Sequence, residues 1–143
     1  MQNNKLIIFT DGGSRGNPGK AGAGAVVYDE WGNEIKAVSK FLGKQTNNWA
    51  EYEAVIIGLE TVQKIFGKNL LAMEVVVKLD SQLVQRQLSG EYQIKEETLF
   101  SQYIKVHNLI VKSFRDIKFI YIPRAENERA DRMANEAMDR EVA

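Results

Sequence analysis

The sequence predicts an α/β fold: a mixed five-stranded sheet with helices on both faces, in the order β-β-β-α-β-α-α-β-α. Two observations predict it. Three strand-like stretches fall within residues 1–41 with little but turns between them, which implies antiparallel hairpins. Beyond them, helical and strand-like stretches alternate, and strands joined by crossover helices run parallel.

Lys5-Leu-Ile-Ile-Phe-Thr10 is short, apolar and β-branched, and reads as the first strand. Asp11-Gly-Gly-Ser-Arg-Gly-Asn-Pro-Gly19 reads as a loop by its turn chemistry. Residues 21–28 form a second strand, in which Gly22 and Gly24 signal a close backbone approach or a bulge. Asp29-Glu-Trp-Gly-Asn33 is a turn, and residues 34–41 are a third strand. Residues 43–48 form a loop that ends in Thr46, Asn47 and Asn48, all good helix caps. Tyr52, Val55, Ile56, Leu59, Val62 and Phe66 then recur as one helical stripe, which Gly67 ends. Residues 72–79 are a strand around Val75-Val76-Val77, and 81–88 a short helix capped by Ser81. Leu99, Tyr103, Val106 and Ile110 mark a further helix. Residues 116–122 are a strand stopped by Pro123, and 125–140 a final helix rich in Ala, Glu, Arg and Met.

The 143 residues suit one domain spanning 1–143, and 44% apolar content excludes wholesale disorder. No apolar run nears the ~18 residues of a membrane span. Met1-Gln2-Asn3-Asn4-Lys5 lacks the apolar core of a secretory signal. Without cysteine there are no disulfides or zinc–thiolate sites, and a cytoplasmic protein is expected. Nineteen basic residues balance nineteen acidic ones, so any nucleic-acid binding must come from local geometry.

Asp11 follows the first strand directly and Asp80 ends the fourth. If those strands are parallel neighbours, both carboxylates emerge at the carboxyl edge of the sheet, where open α/β sheets bind ligands. Glu51 lies in the first turn of the long helix, where a glutamate serves equally as a capping-box member. Asp131 falls in a charged run of the last helix, which reads equally as a solvated face. Four converging carboxylates would need a cation, and hard oxygen ligands suit magnesium or manganese. Two such ions about 4 Å apart can activate water and stabilise a leaving oxygen in phosphodiester hydrolysis.

Thr10-Asp11-Gly12-Gly13 with Gly16-Asn17-Pro18-Gly19, then Thr46-Asn47-Asn48-Trp49-Ala50-Glu51, then Asp80-Ser81-Gln82, then Glu126-Asn127-Glu128-Arg129-Ala130-Asp131 resemble the four motifs of type 1 ribonuclease H, in the family's order. The resemblance implies a ribonuclease H-like fold and an endoribonuclease that cuts the RNA strand of an RNA–DNA hybrid. It implies products with 5′ phosphates and 3′ hydroxyls. It also implies that Asp11, Glu51, Asp80 and Asp131 hold two Mg²⁺ or Mn²⁺ ions when substrate is bound. By the same analogy Asn47, Gln82 and the backbone at Gly12 meet the 2′-hydroxyls that distinguish RNA, and Asn48 meets bases or sugars of the groove. Asn17 and Thr46 hold a DNA-strand phosphate, an uncharged contact compatible with a neutral protein. A monomer is expected.

Two departures stand out. Many bacterial members carry a long basic insertion that grips the hybrid, whereas residues 89–95 here are short and not basic. Weaker or more salt-sensitive binding is therefore expected. Those members also have a histidine in the loop before the last Asp. Here the only histidine, His107, falls mid-helix beside Phe100, Ile104, Val111 and Phe114, and is expected to be packed or half-exposed. Arg124 stands near the histidine's place. It cannot act as a base at neutral pH, so contact with the scissile phosphate or help in product release is its expected role. Trp31 and Trp49 are expected to be packing or surface residues.

Other chemistries fit less well. The glycine-rich loop runs into strand-like residues, where a dinucleotide fingerprint opens a helix. A P-loop fails because Lys20 is followed by Ala21. A serine triad has only His107 to use. A non-catalytic binding module gains nothing from four like charges. A nuclease of the same fold acting on double-stranded RNA remains an alternative, since that duplex also offers 2′-hydroxyls in a wide minor groove.

Overall fold

The computed structural model describes residues 4–140. Met1, Gln2 and Asn3, on which the reading of the first five residues partly rests, lie outside them.

Five strands form one sheet: β1 (Lys5–Gly16), β2 (Gly19–Asp29), β3 (Glu34–Gln45), β4 (Glu74–Leu79) and β5 (Asp116–Tyr121). Their order is β3-β2-β1-β4-β5. The pairs β1–β2 and β2–β3 are antiparallel, and β1–β4 and β4–β5 are parallel. Four helices complete the fold: α1 (Asn47–Phe66), α2 (Gln82–Leu88), α3 (Phe100–Ser113) and α4 (Glu128–Arg140).

The two sheet faces bury different partners. Leu6, Ile8, Val75, Val77 and Leu79 pack with Tyr52, Val55, Ile56, Leu59 and Val62 of α1 and with Val106 of α3 in the main core. On the other face Val26 and Phe9 pack with Ala130 and Met133 of α4. Gly22 and Gly24 of β2 let α4 sit against the sheet, since a Cβ at Gly24 would lie 2.4 Å from the Ala130 carbonyl oxygen. The close approach expected at these two glycines is therefore to α4.

Several boundaries differ from the sequence reading. The glycine-rich stretch expected as a loop is a hairpin: β1 runs on to Gly16 and only Asn17 and Pro18 turn the chain. Residues 67–72, part of which was assigned to a strand, form the 3₁₀ turn Gly67–Ala72. The last helix begins at Glu128, after a 3₁₀ turn at Arg124–Glu126. Thr46 caps α1 by accepting from Trp49 N, which places Glu51 beyond the first turn and leaves it no capping-box role. His107 is exposed and stacks on Tyr103, while Phe100, Ile104 and Val111 near it are also exposed. Trp31 is exposed at a turn, and Trp49 packs against the main core.

Candidate active site

The parallel register sets the site. Thr10 pairs with Leu79 on the last rung between β1 and β4, so Asp11 and Asp80 emerge side by side at the carboxyl edge. Gly12 brings α1 to the same place. A Cβ there would lie 2.1 Å from the Ala50 carbonyl oxygen, so only glycine allows this approach. Gly12 N then donates to Glu51 Oε1 at 2.7 Å.

Asp11, Glu51 and Asp80 each offer a carboxylate oxygen, and these oxygens lie within 4.8 Å of one another. Asp11 and Glu51 are buried and Asp80 half-buried. Burial raises the Asp11 carboxyl far above the usual carboxylate range, and the charges of Glu51 and Asp80 push it further. Burial also raises Glu51, against the opposing effect of hydrogen bonds from Asp11 and from Gly12 N. Both shifts oppose carrying two charges side by side in this buried place. Glu51 Oε2 is buried without a hydrogen-bond partner. An all-oxygen donor set of like charges with one unmet buried oxygen fits a hard divalent cation such as Mg²⁺ or Mn²⁺.

Asp131 is not one of the mutually close trio but meets Asp11. It lines the same cleft, of about 430 Å³, and lies near enough to Asp11 to help raise its pKa. Its ion partner is Arg124, with Nη2 to Oδ1 3.7 Å. The structure thus brings three carboxylates together and sets the fourth at the rim, between Asp11 and an arginine.

The polar residues divide similarly. Gly12, Asn47 and Arg124 line the cleft with the carboxylates. Asn47 Oδ1 accepts from Ser14 N at 2.8 Å, and Asn47 N donates to Asn17 Oδ1 at 3.1 Å, tying the β1–β2 hairpin to the start of α1. Thr46 serves as the cap of α1. Asn48 is bound through Nδ2 to Glu96 Oε1 at 2.9 Å. Gln82 opens α2 and is exposed. Asn17, Thr46, Asn48 and Gln82 do not line the cleft itself.

One residue of the site escaped the sequence reading. Asn127 is 1% exposed, and its Nδ2 donates to Thr10 O at 2.8 Å and to Asp80 Oδ2 at 3.1 Å. Its place in the fourth motif was the only available signal, and periodicity gave it no role.

Known proteins support a common origin for this arrangement. The family model described as "Reverse transcriptase-like" matches residues 9–137. Bifunctional protein Rv2228c of Mycobacterium tuberculosis is 45% identical over 136 residues, which cover 94% of this chain and 36% of that protein. The chain thus spans about a third of the length of that mycobacterial relative. Ribonuclease HI of Halobacterium salinarum is 38% identical over 135 residues, covering 94% of this chain and 65% of that protein. The crystal structure of LC11-RNase H1 in complex with RNA/DNA hybrid superimposes with a TM-score of 0.93 at 46% identity, covering 96% of this chain and 99% of that one. The same enzyme, isolated from compost by a metagenomic approach, gives 0.93 at 47% identity over 98% and 99% of the two chains. With its sheet order, its carboxylate trio and these relatives, the chain belongs to the type 1 ribonuclease H family.

Proposed function

We propose that this chain is a divalent-metal-dependent endoribonuclease that hydrolyses the RNA strand of RNA–DNA hybrids and leaves 5′-phosphate and 3′-hydroxyl ends. The observation that carries the reading is the Asp11–Glu51–Asp80 trio, with oxygens within 4.8 Å and one buried oxygen unmet. The LC11-RNase H1 complex with an RNA/DNA hybrid supports the substrate class.

Asp11, Glu51, Asp80 and, from the rim, Asp131 hold two Mg²⁺ or Mn²⁺ ions in this proposal. The bound ions supply an activated water and charge stabilisation at the leaving 3′ oxygen. Gly12 N holds one Glu51 oxygen and the other is buried without a partner, which leaves it for an ion. Because Ser14 occupies Asn47 Oδ1, the Asn47 Nδ2 donor remains for the 2′-hydroxyl groove. Gln82 and Asn48 extend that contact, while Asn17 and Thr46 hold a DNA-strand phosphate near the hairpin. Arg124 contacts the scissile phosphate or eases product release. We further propose that the chain acts in the cytoplasm as a single-domain monomer. Among the described residues no helix is long and apolar enough to cross a membrane.

The test is an end-labelled RNA–DNA hybrid incubated with Mg²⁺ or Mn²⁺, with Asp80→Asn in parallel. Wild-type cleavage that the variant lacks is the expected result, and a double-stranded RNA lane sets the substrate range. A folded protein that binds hybrid but cuts with neither ion would instead be a binding module.

A further inference from the structure

We propose that Asn127 is a positioning residue that sets the register of the acidic site, its side-chain amide holding Asp80 and the backbone just before Asp11 and its main-chain carbonyl holding the turn that carries Asp131, a reading that rests on the function proposed above. The Nδ2 group has two hydrogens and meets two acceptors. One is the Thr10 carbonyl, on the last rung of the β1–β4 ladder. That ladder stops because β4 ends at Leu79 while β1 runs on to Gly16, and the Asn127 amide supplies a donor there. The other acceptor is Asp80 Oδ2. One side chain thus joins the backbone just before Asp11 to the carboxylate just after Leu79. It fixes Asp80 by one oxygen and leaves Oδ1 free of that bond.

The backbone of Asn127 extends the arrangement to the rim. Its carbonyl accepts from Asp131 N at 3.0 Å at the start of α4. Fixing Asn127 to the sheet therefore fixes the turn of helix that carries Asp131. The cost is visible in the same residue: Asn127 Oδ1 is buried with no partner. An apolar side chain of equal volume would avoid that unmet oxygen. The residue is explained by its two donor bonds, and packing alone would not require them.

The test compares wild type with Asn127→Ala and Asn127→Leu. Leucine keeps the branched shape in a somewhat larger side chain and removes the donors. Mn²⁺ binding is read by calorimetry, folding by melting in EDTA, and kcat and KM on an RNA–DNA hybrid. Both variants are expected to bind Mn²⁺ about 10–100-fold more weakly, as when the partner of a metal ligand is lost. The hybrid KM should stay within about threefold while kcat falls. Mn²⁺ affinity equal to wild type in either folded variant, with only a lower melting temperature, overturns the proposal. If Asn127→Ala fails to fold, Asn127→Leu decides. Wild type that neither binds Mn²⁺ nor cuts the hybrid overturns the functional reading itself, an outcome distinct from variants that bind as well as wild type.

Discussion

Glu51 and Glu53 lie two residues apart on α1, and both are buried, at 6% and 8% exposure. Glu53 is satisfied: Oε1 accepts from Gln102 Nε2 at 2.9 Å, and Oε2 faces Lys40 Nζ at 3.6 Å. Glu51 accepts from Gly12 N on one oxygen, has an unmet second oxygen, and has two further carboxylates within reach. Burial is common to both, so burial does not mark the site. The difference lies in what the surroundings leave undone. Glu53 links the helix to α3 and the sheet, whereas Glu51 keeps an unmet oxygen beside two further carboxylates, the opening that the proposed cation would fill.

The sharpest way to break this comparison is a pair of variants. Glu51→Gln is expected to lower hybrid cleavage by at least about 10³-fold, because an ion ligand is lost from the reacting centre. Its stability should hold or rise by about 1 kcal/mol, since a repelling buried charge is gone. Glu53→Ala should do the opposite. It leaves the Gln102 amide only the long 3.4 Å bond to Trp49 O, with Oε1 already unpartnered, and should cost about 1–3 kcal/mol with cleavage nearly unchanged. Melting curves and single-turnover cleavage on both proteins check it. Equal activity losses would mean the two glutamates do not differ in kind.

The same pair shows how far the sequence carries. The apolar stripe of α1 located the helix, but its period cannot distinguish two buried glutamates in it; only the Thr46–Glu51 motif singled out Glu51. The edge placement of Asp11 and Asp80 was legible because strand ends are, and the β1–β4 register then determined it. Gly12 and Gly13 read as loop because glycine disfavours strands, yet Gly12 is in a strand because α1 passes 2.1 Å from where its Cβ would be. That contact lies 38 residues away in sequence and leaves no local trace. Asn127 was unreadable for the same reason, its acceptors being 117 and 47 residues distant. Asp131 was placed correctly on the last helix, but its pairing with Arg124 depends on the 3₁₀ turn that precedes that helix.

A smaller effect separates the regions by pH. Asp11 and Glu51 have folded-state pKa values raised above those of an unfolded chain, chiefly by burial. Between the two values the folded protein binds more protons, so stability falls as pH rises. That contribution is complete below the unfolded pKa of about 4 and is lost as pH climbs through the raised folded values. Metal-free wild type should therefore lose stability relative to Asp11→Asn as pH moves from 5 to about 8. Mg²⁺ should restore it, with a gain that grows with pH as the carboxylates ionise. A wild-type minus Asp11→Asn difference that stays flat in EDTA would contradict the assigned burial of this charge.

The smallest expected effect belongs to the rim, where Arg124 is 83% exposed and its pair with Asp131 spans 3.7 Å. Solvent screens such a pair, so Arg124→Ala should change stability by no more than about 0.5 kcal/mol. Its effect on the hybrid should appear as a charge effect. If the guanidinium meets a phosphate, the variant binds a few-fold more weakly, and its log–log salt dependence becomes shallower by about 0.9. Arg124→Lys should keep the slope and lose part of the rate, because a point charge replaces a planar fork. The loop at 89–95 adds no compensating basic patch, so one lost cation at the cleft should be measurable. Unchanged turnover and unchanged slope in Arg124→Ala would remove Arg124 from the site and leave Arg15 as the candidate cation beside the carboxylates of the cleft.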